Sequence, residues 1–598
     1  MFLKCSVRRK DGKEHRSWSV VESRRLRGGR CIHRHVLYLG EINDSQRAVW
    51  QKSIEVFEDG KEQSVQMAIF PEDRKPWDGD GLVIGVRLKE MELHRPRQWG
   101  ACWLALETWR QLGLDGFWAP KLPSSREGTP WDQVLTVLVI YRLIDPGSEW
   151  RLHREWFERS AMGDLLGQDY RLAVDDTLYR CLDKVLAYKE DLFGHLQKRW
   201  KDLFGARFEV LLYDLTSTYF ESDPPFGEDD KRKHGYSRDK RPDCAQVVIA
   251  LVVTPEGFPL AYEVLAGNTS DKTTLRDFLL RIEKQYGKAE RIWVMDRGIP
   301  TEEVLTEMRQ SDPPIHYLVG TPKGRLSQLE AALLALPWQK VRPGVEVKLL
   351  TQEKELYVLA QSRDRVNKER SMRRRQLKGL WKRLRELQNQ KLTRDELLLK
   401  LGAAKEKSPS AWRLVAVQLP VESKPKELIR WEYRLRKDKL REVRHREGRY
   451  LLRTNLCGRD PAQLWQFYIQ LVEIEAAFKT LKDDLALRPI FHQLQHRIEA
   501  HILVAFLAYC LHVTLRARLR HLAPGLTPRS VLEKFASIQM IDVHLPTTDQ
   551  RTLILSRYTQ PDNDCKLLLQ NLKLQLPAQP PPKISSKGEL IPQKTPAV

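Results

Sequence analysis

Cysteine is scarce and scattered in this chain of 598 residues: Cys5, Cys31, Cys102, Cys181, Cys244, Cys457, Cys510 and Cys565 include no CxxC pair. That spacing excludes a zinc ribbon or a disulfide framework and fits a reducing, cytoplasmic compartment. Long apolar runs are missing too. Val247–Val253 and Ile502–Leu511 fall short of the roughly 18–20 residues that a membrane span requires. The opening MFLKCSVRRKDGK is charged too early for a secretory core, so no membrane partner is expected. Acidic residues are the minority, 79 Asp+Glu against 101 Lys+Arg, for a net charge of +22. With 41% hydrophobic and 30% charged residues the chain is globular rather than disordered. Its length suggests about four folding units at about 150 residues each. A surplus of this size points toward a polyanionic partner without naming an activity.

The surplus is concentrated. Residues 361–407 hold 16 Lys+Arg and 6 Asp+Glu, and residues 424–449 hold 11 and 5. A solvated helix face is one reading, and a surface that tracks phosphates is the other. In IRWEYRLRK, Ile429, Trp431, Tyr433 and Leu435 alternate with Arg430, Glu432, Arg434 and Arg436. The alternation predicts a strand with one apolar and one basic face, and it favours a nucleic-acid face that includes Arg430, Arg434 and Arg436.

Composition divides the chain into six segments. Residues 1–95 read as a small, mostly β module with a helix near 44–57, and 96–205 as a helical, candidate DNA-binding domain. Strands and helices alternate over 206–320. Residues 321–450 form a basic, β-rich insertion with one long helix near 363–400. Residues 451–545 are helical again. Residues 546–598 read as a tail, disordered at its Pro-rich end, LPAQPPPKISSKGELIPQKTPAV.

The chemistry concentrates in 206–320. FEVLLYD (208–214) ends at Asp214; AQVVIALVV and FPLAYEVL flank a ThrProGluGly turn; a helix opens at Ser270 or Asp271. RIWVMD (291–296) ends at Asp296, a helix starts near 301, and IHYLVG closes a fifth strand. Strand-end carboxylates lie where α/β sheets bind ligands, although Asp after a strand also simply starts turns. Two carboxylates cannot hold two divalent ions, so a third acid is required. On FYIQLVEIEAAFKTLKDDLAL (467–487), read as one helix, Tyr468, Glu475 and Lys482 share a face at seven-residue spacing, beside a core stripe of Phe467, Leu471, Ile474, Phe478 and Leu481. Glu473 competes with Glu475 for the role.

Read together, YDLTSTYFE, GYSRDKRPDCAQVVIALVVTPEGFPLAYEVLAGNTSD, VMDRG and Tyr468-x₂-Leu471-x₃-Glu475-x₆-Lys482 resemble the DDE transposases of bacterial insertion sequences. The resemblance is closest to the group of insertion sequence family four, whose last motif is Tyr-x₂-Arg-x₃-Glu-x₆-Lys. It implies an α/β catalytic core with an RNase H-like mixed five-stranded sheet and flanking helices, interrupted by the insertion. It makes Asp214, Asp296 and Glu475 both the catalytic triad and the ligands of two Mg²⁺ ions, with Mn²⁺ able to substitute. Tyr468 and Lys482 become DNA contacts. Leu471 replaces the motif's Arg, so that phosphate contact is absent or supplied by a neighbour such as Lys479. Arg297 either positions phosphate or forms a salt bridge behind the sheet. Asp223, Asp229 and Asp230 are rival ligands in a loop.

The function so implied is binding of the terminal inverted repeats of an insertion sequence, followed by metal-dependent cleavage and strand transfer. The partner is double-stranded DNA, transposon ends and target alike, engaged by a homodimer in a synaptic complex. An RNase H-like nuclease without strand transfer and a non-catalytic transposase-derived DNA-binding protein are the alternatives.

Overall fold

The computed structural model describes residues 2–10, 13–25, 31–44, 46–51, 85–221, 227, 230–287, 290–296, 298–321, 329, 332–333, 336–352, 354–390, 392–419 and 431–585. Strands β1 (Phe2–Lys10), β2 (Lys13–Arg25), β3 (Cys31–Gly40) and β4 (Glu92–Gln98) come first. Helices α1 (Gly100–Gln111), α2 (Trp131–Ile144), α3 (Asp175–Val185) and α4 (Lys189–Phe204) follow. The next stretch runs β5 (Val210–Tyr219), β6 (Gln246–Val253), β7 (Pro259–Ala266), α5 (Asp271–Tyr286), β8 (Ile292–Met295), α6 (Glu302–Gln310) and β9 (His316–Gly320). This is the expected order of strands and helices.

Then come β10 (Gln339–Arg342), β11 (Val345–Gln352), β12 (Glu355–Ser362), α7 (Arg363–Gln388), α8 (Arg394–Lys407), β13 (Val415–Gln418), β14 (Glu432–Leu435), α9 (Lys437–Arg446) and β15 (Arg449–Thr454). The chain continues through α10 (Pro461–Ile469), α11 (Leu471–Lys479), α12 (Gln495–Leu522), α13 (Pro528–Phe535), β16 (Gln539–Pro546), β17 (Thr552–Tyr558), α14 (Asn563–Asn571) and β18 (Lys583–Ile584). Only helices of eight or more residues are numbered. The protein is a mixed α/β structure built as two compact units, one of residues 1–7, 16–289 and 472–598, the other of 8–15 and 290–471.

In the first unit β6 is the central strand. Its Val/Ile/Leu-rich sequence is buried at every position, which is how a strand covered on both faces reads. It pairs antiparallel with β5 (Asp214 opposite Leu251) and with β7 (Leu251 opposite Tyr262). Helix α12 is long and apolar enough to cross a membrane by length and composition, but 94% of its most apolar window is buried inside the protein. A helix apolar on all sides is a core helix when protein surrounds it.

The expected tail is folded. β16 pairs with β4 and β17, β18 pairs with β17, and Cys565, Leu567, Leu568 and Leu572 of α14 are buried. The Pro-rich segment lacks periodicity, yet its backbone carbonyls hold it: Pro577 and Pro580 accept from Tyr558 and Arg557. Residues 44 and 46–51 are helical as expected, while 45 and 52–57 of that helix, and residues 586–598, lie outside the described residues.

The second unit contains a mixed run of strands in the order β10-β11-β12-β15-β9-β8, with β8 and β9 parallel and the other pairs antiparallel. Two expectations change here. The stretch 206–320 contributes to both units, β5–β7 to the first and β8 and β9 to the second, where β9 pairs with β15. The insertion expected over 321–450 narrows to the excursion 363–448, because β10, β11 and β12 extend the sheet of β8 and β9.

The excursion has its own core. Leu380, Leu384 and Leu387 of α7 pack with Leu397 and Leu401 of α8, Val415 of β13 and Trp431. The single helix expected near 363–400 is two, because Thr393 and Glu396 form a capping box that starts α8. At the base of the excursion Gly448 has φ +69°, and a Cβ there would lie 2.3 Å from Val366 Cγ2. Only glycine fits that approach.

A buried ion network ties the opposite end of β12 and β15 to α6. Arg453 donates to both Glu355 carboxylate oxygens at 2.7 Å and pairs with Glu302 at 2.6 Å, while Arg309 reaches Glu355 at 2.7 Å. Burial opposes the charge of Arg453, but its bonds to Glu302 and Glu355 outweigh that and raise its pKa. Glu355→Gln is therefore expected to lower the urea-unfolding free energy by about 1–3 kcal/mol, the scale for losing charged hydrogen bonds while Arg453 keeps Glu302.

Candidate functional site

Each acid assigned from sequence is placed by a different element. Asp214 lies within β5 rather than at its end, because Leu215–Thr218 continue the ladder against Ala250–Val247 of β6 and are themselves buried. Thr is at home in a strand, so LTST extends it rather than forming an open turn. Asp214 is half-buried, and its Oδ1 accepts the Leu215 N–H at 2.8 Å, which orients the carboxylate. Alternation along the strand places Asp214, Thr216 and Thr218 on one face.

Asp296 follows the fully buried Ile292–Met295 strand directly and is exposed. Glu475 is exposed on α11, whose Ile474, Ala477 and Phe478 are buried. Its rival Glu473 is ion-paired to Arg516 at 3.1 Å, whereas the Glu475 carboxylate has no ion pair among the described residues.

The helix expected over 467–487 is not continuous. α10 ends at Ile469, α11 starts at Leu471 and ends at Lys479, and a π-helical turn covers Thr480–Asp484. The seven-residue spacing of Tyr468, Glu475 and Lys482 therefore spans three elements and defines no single face. Tyr468 is half-buried against Tyr450 and Trp465, with ring centroids 5.8 and 6.3 Å away, and Tyr450 carries the Arg365 guanidinium 4.0 Å from its ring centre.

Lys482 is half-buried and donates to Asp239 at 2.8 Å; Arg488 pairs with the same carboxylate. Burial lowers the Lys482 pKa against the opposing pull of Asp239. Asp239 lies 243 positions from Lys482 in the chain, and no local pattern announced it. Lys479 is exposed. Among the rival ligands, Asp230 is bonded to Arg232 at 2.6 Å; burial raises its pKa, but the Arg232 bonds prevail and lower it. Asp223, Asp229, Arg297 and Arg430 lie outside the described residues.

The predicted basic strand forms as β14. Trp431 is buried, Tyr433 and Leu435 are half-buried, and Glu432, Arg434 and Arg436 are exposed. Helix α9 has no buried residue, and its Arg444 is close enough to Arg373 of α7 to help burial lower the Arg373 pKa. The first half of α7 and α9 thus present a surface rich in Arg and Lys.

The family of the transposase DDE domain matches residues 205–511, 307 of the 598. The chain belongs to this family. It is a transposase by that membership, in a family whose chemistry acts on DNA with divalent metal ions. No curated protein matches it. Among solved structures it is similar to a piggyBac transposase synaptic complex with hairpin DNA, at 10% identity and a TM-score of 0.33 over 73% of this chain and 78% of that one. That likeness is too distant to place any residue.

Each of the three acids, taken by itself, offers the oxygen donors that hard divalent ions take, and the Asp214 carboxylate is already oriented by a backbone N–H. Around them the ion pair of Asp239 is structural. Asp239→Ala leaves Lys482 and Arg488 without their shared partner, and a loss of about 3–5 kcal/mol in urea unfolding is expected. Lys482→Met should cost less, since Arg488 still neutralises Asp239.

Proposed function

We propose that this transposase binds the terminal inverted repeats of an insertion sequence and catalyses metal-dependent cleavage and strand transfer in the cytoplasm, as a homodimer that synapses two ends. What carries the reading is that Asp214, Asp296 and Glu475 all fall within the residues matched by the transposase DDE domain. The pairing of Glu473 with Arg516 supports Glu475 as the third acid. The RNase H-like arrangement and the kinship with insertion sequence family four belong to the same proposal.

Asp214, Asp296 and Glu475 would hold two Mg²⁺ ions, or Mn²⁺ in their place. Such ions supply activation of the attacking oxygen and stabilisation of the leaving oxygen in an in-line phosphodiester displacement. The chain's own residues do the positioning. Lys479, one turn beyond Glu475 on α11 and exposed, offers a phosphate contact where the motif's Arg is replaced by Leu471. Tyr468 and Arg297 would flank the DNA. Lys482 reaches it only by exchanging its bond to Asp239 for a phosphate. Arg434 and Arg436, with Arg430, form the basic edge along which flanking DNA runs.

Purified protein incubated with DNA carrying the element's own end repeats and Mg²⁺ should cut at the repeat tips and join the ends to target DNA. Asp214→Asn, Asp296→Asn and Glu475→Gln should each reduce cutting by at least about 10²–10³-fold, the scale of removing one preorganised electrostatic element. DNA affinity should persist in all three. Strand transfer retained by any of these variants overturns the triad, and cutting without joining favours a nuclease.

Arg434→Ala with Arg436→Ala should lower the slope of log K against log salt by about 2, near one per lost phosphate contact. An unchanged slope removes β14 from the DNA interface.

A further inference from the structure

None of the three assigned acids belongs to the group of metal-type donors that the structure draws together. Among the described residues, Glu149, His492 and His501 each offer one ligand atom, and these atoms lie within 4.8 Å of one another. Glu149 opens a helical turn capped by Ser148, His492 precedes α12, and His501 lies on α12. The three residues are only 6%, 9% and 5% exposed. We propose that Glu149, His492 and His501 form a zinc site, distinct from the three acids, with an exchangeable fourth position.

The separations suit an ion better than hydrogen bonds. His492 Nε2 is 3.4 Å and His501 Nδ1 is 3.6 Å from the same oxygen, Oε1 of Glu149. An N–H···O bond is usually about 2.7–3.2 Å long, so the first contact is at the outer edge and the second is beyond it. Two donors on one tetrahedral zinc, with bonds of about 2.0–2.2 Å, lie about 3.3–3.6 Å apart. The same geometry leaves neither ring nitrogen of buried His501 with a hydrogen-bond partner. Buried polar atoms are normally satisfied, and an ion bound at Nδ1 satisfies one of the two.

Two imidazoles and a carboxylate select zinc or a similar transition ion over Mg²⁺. Glu149 and His492 also line a cavity of about 550 Å³ with Trp150, Tyr179 and Phe491, which gives the fourth position to water or an incoming donor. Bound there, the ion would join the 149 turn and the segment before α12 to α12 itself. The neighbouring cation is Arg142, whose Nη2 lies 3.9 Å from Glu149 Oε1 while its Nη1 donates to the Ala486 carbonyl at 3.2 Å. Its fixed positive charge weakens the site relative to the same ligands alone.

The test does not depend on the transposase reading. Full-length protein is stripped with a chelator, incubated with zinc, desalted and assayed for zinc per chain, beside a variant carrying Asp214→Asn, Asp296→Asn and Glu475→Gln. Both should retain about one zinc per chain, and His492→Gln or His501→Gln should weaken binding at least about 10-fold. Arg142→Leu should bind more tightly. Should His501→Gln misfold by circular dichroism, His492→Gln at the cavity wall decides. Absence of retained zinc, zinc lost in the triple variant, or zinc retained undiminished in His492→Gln would each overturn the proposal.

Discussion

A chain with 22 surplus positive charges must keep its reactive carboxylates from being neutralised by its own cations. Three acids of the first unit are paired in this way: Glu473 with Arg516, Asp230 with Arg232, and Asp239 with Lys482 and Arg488 together. Each pair is internal to its unit and serves the fold. Glu475, two residues from Glu473 on the same helix, points away from that pairing because 3.6 residues per turn place the two on different faces. The division of labour among neighbouring acids is set by helix phase, not by residue type.

The distribution of the cations has a structural counterpart. The excursion between β12 and β15 holds its own apolar core, so its outer residues need not be apolar and carry an excess of basic over acidic side chains. It is fastened at its base by Gly448 and the Arg370–Glu447 ion pair. This is how a highly charged module can project from a sheet without drawing on the sheet's core. A basic module on one element set and acids on others is the separation of charge that phosphodiester chemistry on DNA demands.

Much of this was legible in the sequence where one local rule acts alone. The apolar run of β6, the strand ending before Asp296 and the alternation from Trp431 to Arg436 were read nearly to the residue, because period and burial coincide there. Legibility failed where a distant partner decides. The strand holding Asp214 runs on through LTST because β6 pairs with it. The 467–487 helix breaks at Gln470 although its apolar spacing continues. The described start of the Pro-rich segment is held by side chains of Arg557 and Tyr558 that reach the Pro580 and Pro577 carbonyls. Asp239 and the Glu149–His492–His501 group were invisible for the same reason, since their members meet only in three dimensions.

The central claim is that Asp214, Asp296 and Glu475 serve one metal centre, and metal-directed cleavage of the protein itself tests it most directly. Fe²⁺ loaded in place of Mg²⁺, with ascorbate and peroxide, generates radicals that cut the backbone beside the ion. The account predicts cuts near all three residues, suppressed together by excess Mg²⁺ and lost together in Asp214→Asn. Cuts near only one of the three, or cuts that Asp214→Asn leaves unchanged near Asp296 and Glu475, would contradict it.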